Sequence, residues 1–318
     1  MKAVFLDYAS LDQNDLDFSE LHAVFENLTL YPASTEEQVS ERIQDVDVVI
    51  TNKVRISAEV IQQLPKLKLI LISATGTNNV DLVQAKKSGI VVCNCQAYGT
   101  SAVAQHTLML MLALSTSVIQ YHQAVQKGEW QKAQQFCLLD FPIVELAGKT
   151  LGIIGYGELG QAVAQLAKAF GMQIMVGALP NRPQREGRVQ LDELLSQADY
   201  VSLHCPLTDE TKDLIDAKAF DRMKSSAFLI NCARGGIVNE QALADALIHK
   251  KIAGAATDVL TVEPPKQGNV LLDTDIPNLL ITPHSAWCSV DERKRIVKQL
   301  MENVKAFQNG QPIRQVNL

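Results

Sequence analysis

The sequence has no excess of positive charge. Lys and Arg number 29 against 35 Asp and Glu, a net charge of −6 at pH 7. Nucleic-acid binders usually show a basic excess, so no nucleic-acid partner is expected. An anionic ligand must then be held by local cations, because the field of the whole molecule does not attract it. Long apolar runs are also missing. The most apolar stretch, Leu108 to Leu114, is far too short for a membrane span and reads as a buried helix. The apolar run before Asp7 is only the four residues Ala3–Leu6, too short for a signal-peptide core. The six cysteines are scattered, with no pairing pattern. That fits reduced thiols in a cytoplasmic protein better than a disulfide framework. Cys93-Asn94-Cys95 lacks metal-finger spacing and reads as strand-end packing, so no metal is expected. There is no internal repeat, low-complexity tract or flexible linker. What remains is an ordinary globular composition, 47% hydrophobic and 20% charged, in 318 residues, enough for two domains with real cores.

The most telling residues present run from Leu151 to Gly160. Leu151 to Ile154 are short, apolar and partly β-branched, which suits a buried strand. Gly155, Gly157 and Gly160 fill a G-x-G-x-x-G turn, and Gln161 to Phe170 continue with helical spacing. In such a turn the first glycine allows the bend, the second admits a pyrophosphate to the backbone, and the third lets helix and strand pack. The helix N-terminus adds free N–H groups and partial positive charge. The expectation is a dinucleotide site.

Strand and helix patterns alternate along the chain. Strands are expected at Ala3–Leu6, Val46–Ile50, Leu67–Ile72 and Ile90–Val92. Helices are expected near Leu16–Glu26, Ser34–Arg42, Ser57–Leu64 and Asp81–Ser88, with Ser57 and Asn79 as N-caps and Gly89 as a stop. One long helix from about Thr100 to Lys127 follows. A second alternating unit then gives six strands, Leu151–Ile154, Gln173–Val176, Tyr200–Leu203, Ala227–Asn231, Ile252–Ala256 and Leu279–Thr282. Ser289 to Phe307 reads as a terminal amphipathic helix. Alternation of this kind implies parallel sheets covered on both faces.

An NAD site usually has an acid about 20 residues past the glycine turn, on the ribose 2′-hydroxyl. No acid occurs between Gln161 and Arg185, and Ala178 stands about where it belongs. Without that carboxylate a 2′-phosphate is not repelled, and Arg182 could pair with it, helped by Arg185 or Arg188. This favours NADP(H) over NAD(H) and keeps both open.

Three segments then end strands of the same sheet, where ligands bind in open α/β sheets. They are Asn231–Gly236, Thr257–Pro264 and Thr282–Trp287. The first brings Arg234, a permanently charged fork suited to a carboxylate. The third brings His284, able to move a proton near neutral pH. The second brings Glu263, which beside an imidazole favours its protonated form and fixes its orientation.

With these motifs in this order the chain resembles the D-isomer-specific 2-hydroxyacid dehydrogenases over nearly its whole length. The resemblance also rests on Ala74–Asp81, on Ser101-Ala102-Val103-Ala104-Gln105-His106 and on His204-Cys205-Pro206-Leu207-Thr208. It implies a Rossmann dinucleotide-binding domain, residues 99–287, inserted into a flavodoxin-like substrate domain, residues 1–98 and 288–318. It implies that Arg234 holds the substrate, that His284 is the acid/base and that Glu263 is its partner. Asp258 would meet the nicotinamide amide. Cys232, Ala233 and Val103 would line the cofactor, Glu158 and Leu159 its pyrophosphate, and Pro206 its adenosine ribose. Backbone N–H groups of Thr75, Gly76 and Thr77 would hold the substrate carboxylate. Gln105 where the family often has Glu, the Thr75–Thr77 loop and the missing ribose acid are departures.

Within the family, Phe136–Pro142 and Glu145–Thr150 look most like glycerate dehydrogenases, also called hydroxypyruvate reductases. The expected reaction is reduction of a small 2-keto acid, hydroxypyruvate or glyoxylate. A homodimer is implied, with the Thr100 helix and Trp130 at its interface. D-Lactate and phosphoglycerate dehydrogenases, and a non-catalytic NAD(H)-sensing corepressor, are the competing readings.

Overall fold

A computed structural model describes residues 1–181 and 185–318. Arg182 therefore lies outside the described residues. The chain divides into two compact units, Met1–Gly99 with Cys288–Leu318, and Thr100–Trp287.

The first unit holds five strands: β1 (Lys2–Phe5), β2 (Asn27–Leu30), β3 (Val48–Thr51), β4 (Leu69–Ile72) and β5 (Val91–Cys93). All pairings are parallel, in the order β2-β1-β3-β4-β5. This is the flavodoxin-like order, with its switch point between β1 and β3. β3 and β4 are buried along their whole length, which is why they read as unbroken apolar runs. β2 was not expected. It is an edge strand with alternating burial, and the helix before it is only Ser19–Ala23. The N-cap of Leu82–Lys87 is Asp81, whose carboxylate accepts from the Gln84 N–H. Asn79 is not the cap, because its amide donates to the Asn52 and Val54 carbonyls. After the helix Val290–Gln308 the chain returns along the free edge of β5. Val316 donates to Val92 at 2.9 Å, and the Asn317 side chain bonds Ile90 and Val92. That closes an edge which would otherwise invite pairing.

The second unit holds β6 (Thr150–Ile154), β7 (Gln173–Gly177), β8 (Arg188–Val189), β9 (Tyr200–Leu203), β10 (Phe228–Asn231), β11 (Gly254–Thr257) and β12 (Leu279–Ile281). The sheet is parallel, in the order β12-β11-β10-β9-β6-β7-β8. Six of the seven were expected. β8 is a two-residue strand, too short to leave a pattern. The register aligns Gly177, Ile154, Leu203, Asn231, Thr257 and Ile281 across six strands. The residues that follow form a row along one sheet edge: Ala178, Gly155, His204, Cys232, Asp258 and Thr282. At about 4.8 Å per strand this row is roughly 24 Å long.

The single long helix expected from Thr100 is two, Thr100–Thr116 and Val118–Gln126, bent by 60°. The cause is local. Ser115 and Thr116 bond back to the Met111 and Leu112 carbonyls, which loosens a helix. Ser117 then takes a left-handed φ of 49° and donates to the Pro142 carbonyl. Leu108, Leu110, Met111 and Leu114 are buried in the core against β6, β9 and β10. No single helix among the described residues is long and apolar enough to cross a membrane, and the pair that reaches that length together is this bent one.

Candidate active site

The glycine turn is built as its spacing predicts. Gly155 has φ +98°, and a Cβ there would lie 2.4 Å from the Cys205 nitrogen. A Cβ on Gly160 would lie 2.2 Å from the Gly155 carbonyl oxygen. Both positions are closed by the protein's own backbone. Gly157 differs, since a Cβ there meets no described atom within 4 Å. It is the N-cap of the helix Glu158–Ala169, whose first N–H groups have no partner within the helix. The Glu158 carboxylate is drawn aside by the Thr100 hydroxyl. Leu159 is half-buried against the core that also contains Val103.

At the other end of the row, His284 Nδ1 lies 2.6 Å from Glu263 Oε2. Both side chains keep about a third of their surface, 31% and 33%. Glu263 is itself fixed, with Oε1 accepting from the Leu260 N–H at 2.7 Å. His284 has φ +53°, a left-handed backbone that is uncommon for a side chain of this size. Asp258 holds it there. Its carbonyl accepts from the His284 N–H at 2.8 Å, and its carboxylate accepts from Ser285 and Ala286, each at 2.9 Å. The Asp258 side chain is 1% exposed, so both oxygens face protein donors.

Arg234 ends β10 on an exposed turn. The Asn231 side chain makes that turn, accepting from the Ala233 N–H and donating to the Arg234 carbonyl. The guanidinium donates to the Ala233 carbonyl at 2.7 Å. Cys232 and Ala233 are buried beneath it. Burial pushes the Cys232 thiol up to about 12, so it is no nucleophile near neutral pH. Pro206 is exposed at the end of β9, its carbonyl held by the Thr211 hydroxyl.

In the first unit, Thr75 and Gly76 are exposed and Thr77 half-exposed, just beyond β4. Asn94 donates to the Thr75 carbonyl at 2.8 Å. Burial pushes the Tyr98 hydroxyl up to about 12, and Thr75 bonds to it through side chain and backbone.

Residues 108–286 match the family described as D-isomer specific 2-hydroxyacid dehydrogenase, NAD binding domain. The glycerate dehydrogenase of Methylorubrum extorquens is 45% identical, covering 98% of this chain and 97% of that protein. The hydroxypyruvate reductase of Blautia hydrogenotrophica is 39% identical and is matched over 100% of both chains. Among solved structures, an acyclic imino acid reductase in complex with NADPH and D-Arg superposes with a TM-score of 0.84. It is 28% identical, with 99% of this chain and 100% of that one covered. The chain belongs to the D-isomer specific 2-hydroxyacid dehydrogenase family. This dehydrogenase is a nicotinamide-dependent oxidoreductase acting on the CH–OH group of small 2-hydroxy acids.

The second unit fits the dinucleotide. Space is left at Gly157 alone among the three turn glycines, beside helix N–H groups suited to phosphate. Two further residues belong to the dehydrogenase's site, and both lie inside its sequence motifs although local pattern gives neither a role. His106 Nε2 lies 3.0 Å from the Thr282 hydroxyl, and that hydroxyl donates to Asp258 at 2.5 Å. The signal was present as a His one helical turn beyond Ala102 and a Thr two residues before His284, but only the fold joins them.

Proposed function

We propose that this dehydrogenase reduces hydroxypyruvate or glyoxylate, with His284 as the acid/base. The observation that carries the reading is the 2.6 Å pair of His284 with Glu263, on the sheet edge that also bears the glycine turn. A reduced nicotinamide dinucleotide, held by the turn of Gly155, Gly157 and Gly160, would provide the hydride for the keto carbon. His284, oriented by Glu263, gives its proton to the keto oxygen. Arg234 holds the substrate carboxylate and carbonyl. Holding the reacting carbon in one orientation is a large part of the rate. Names of the relatives, glycerate dehydrogenase and hydroxypyruvate reductase, support the choice of substrate.

The preferred cofactor in this reading is NADP(H). Ile154 is in register with Gly177, so Ala178 stands beside Gly155, at the level where a ribose acid would act. Arg185 and Arg188 follow on the adjoining loop and strand. The protein works as a homodimer through an apolar strip of the second unit, where Phe136 is 88%, Leu139 85% and Trp130 52% exposed. A second copy is the occupant that family membership favours.

Two measurements test this. A panel of 2-keto acids with NADPH and NADH gives hydroxypyruvate or glyoxylate the highest kcat/KM, and NADPH the better cofactor. His284→Ala loses turnover by about 100-fold or more while dinucleotide affinity stays. Unchanged turnover removes the role of His284, and a preference for NADH removes the 2′-phosphate argument.

A further inference from the structure

The strand-end residue Thr282 and the helical residue His106 together hold the Asp258 carboxylate, and through it the loop that carries His284. We propose that both are positioning residues for the acid/base. This rests on the reading of His284 given above.

The argument is one of donors and acceptors. The Thr282 hydroxyl donates to Asp258 Oδ1 at 2.5 Å. A hydroxyl has one proton, so toward His106 it can only accept, and His106 Nε2 must carry the proton of the 3.0 Å contact. The same Nε2 is 3.6 Å from Asp258 Oδ1. The direction of the chain is therefore fixed: His106 to Thr282 to Asp258. Asp258 in turn accepts from three consecutive backbone N–H groups, those of His284, Ser285 and Ala286.

Such a clamp has a reason to exist. A non-glycine residue at positive φ costs on the order of 1–3 kcal/mol and persists only where its surroundings over-determine it. His284, at φ +53°, is that residue. A buried carboxylate is also costly unless each oxygen is bonded. Thr282 bonds Oδ1, the oxygen that also accepts from the Ser285 N–H, and His106 holds the Thr282 hydroxyl in place. With either missing, the carboxylate can turn, and the imidazole moves with the loop. Misplacement of this kind lowers the chemical step more than ground-state binding.

The test compares Thr282→Val, Thr282→Ser and His106→Phe in the full chain, with hydroxypyruvate and reduced dinucleotide. Thr282→Val is expected to lower kcat about tenfold. Substrate KM stays within about twofold, and dinucleotide Kd, read by cofactor fluorescence, changes several-fold less than kcat, since the glycine turn is untouched. Thr282→Ser keeps the hydroxyl and restores most of kcat. His106→Phe shows the same split at smaller size, and carries the test should Thr282→Val fail to fold. Wild-type kcat in both Thr282→Val and His106→Phe overturns the proposal, as does failure of serine to restore it. The His284→Ala control separates the two readings. An active His284→Ala removes the acid/base assignment. An inactive one, beside fully active Thr282 and His106 variants, removes only the clamp.

Discussion

The two units solve the same topological problem in opposite ways. Each is a parallel sheet whose strand order reverses once, and each reversal leaves backbone N–H groups beyond the strand ends. In the first unit the reversal lies between β1 and β3, and the protein fills it with its own anion. Asp7 follows β1 and is 6% exposed. It accepts from the N–H groups of Asn52, Lys53 and Val54, just beyond β3, at 2.8, 2.7 and 3.3 Å. Burial pushes its pKa up and those three bonds pull against the rise. In the second unit the reversal lies between β6 and β9. There Gly155 and Tyr156 follow β6, and His204 and Cys205 follow β9, none of them an anion. A switch point that supplies its own carboxylate is structural, and one that withholds it is free for a phosphate.

The comparison breaks most visibly at Gly160. Gly160→Val pushes a branched side chain against a backbone oxygen only 2.2 Å from its Cβ, and neither neighbour can move aside. Loss of the folded second unit is expected, seen as loss of the cooperative thermal transition and of dinucleotide binding. A fully folded Gly160→Val would show that helix and strand are less tightly packed than described. Next in size is Asp7→Ala, which takes the carboxylate acceptor from three backbone N–H groups, that of Asn52 buried and those of Lys53 and Val54 partly so. With one donor buried and two partly so, a loss of about 2 kcal/mol is expected in chemical denaturation. A loss below about 1 kcal/mol would mean that water replaces the carboxylate and that the first switch point is open after all.

Much of this was legible before the fold. The glycine turn, the strand-end segments and the buried strands β3 and β4 follow from local patterns, because tight turns and continuous apolar runs have few other uses. What escaped notice depended on distance or brevity. β2 and β8 are edge strands of four and two residues, with too little burial to print a signature. The break at Ser117 comes from hydroxyls bonding to their own helix, a competition that apolar periodicity does not register. The candidate site divides in the same way. Arg234, Glu263 and His284 announce themselves by chemistry at strand ends. His106, Thr282 and Asp7 act through partners 176, 24 and 45 or more residues away, and nothing in their neighbours names those partners.

The neutral character of the second switch point has its own consequence. Burial brings the His204 pKa down from 6.5 to about 4. Its Nε2 bonds Ser202 at 2.8 Å, and its Nδ1 is buried without a hydrogen-bond partner among the described residues. The unfolded chain therefore binds a proton more readily than the fold. The contribution of His204 is complete above about pH 6.5 and is lost as the pH falls toward about 4. About 2 kcal/mol of stability should disappear between pH 7 and pH 5, and His204→Gln should flatten that slope by close to one proton. An identical slope in the variant would show that the imidazole already carries charge in the fold.

The finest test separates space kept for a ligand from space needed by the protein. Gly157→Ala places a methyl group where no described atom lies within 4 Å, and its φ of −87° is open to alanine. Thermal stability should therefore stay within about 0.5 kcal/mol of the wild type. Reduced dinucleotide should bind about tenfold more weakly, because a Cβ there stands between the pyrophosphate and the helix N–H groups. A variant that loses stability would place Gly157 with Gly155 and Gly160 as a packing requirement. One that keeps both stability and affinity would move the phosphates off this helix, and the contrast between the two switch points would lose its functional meaning.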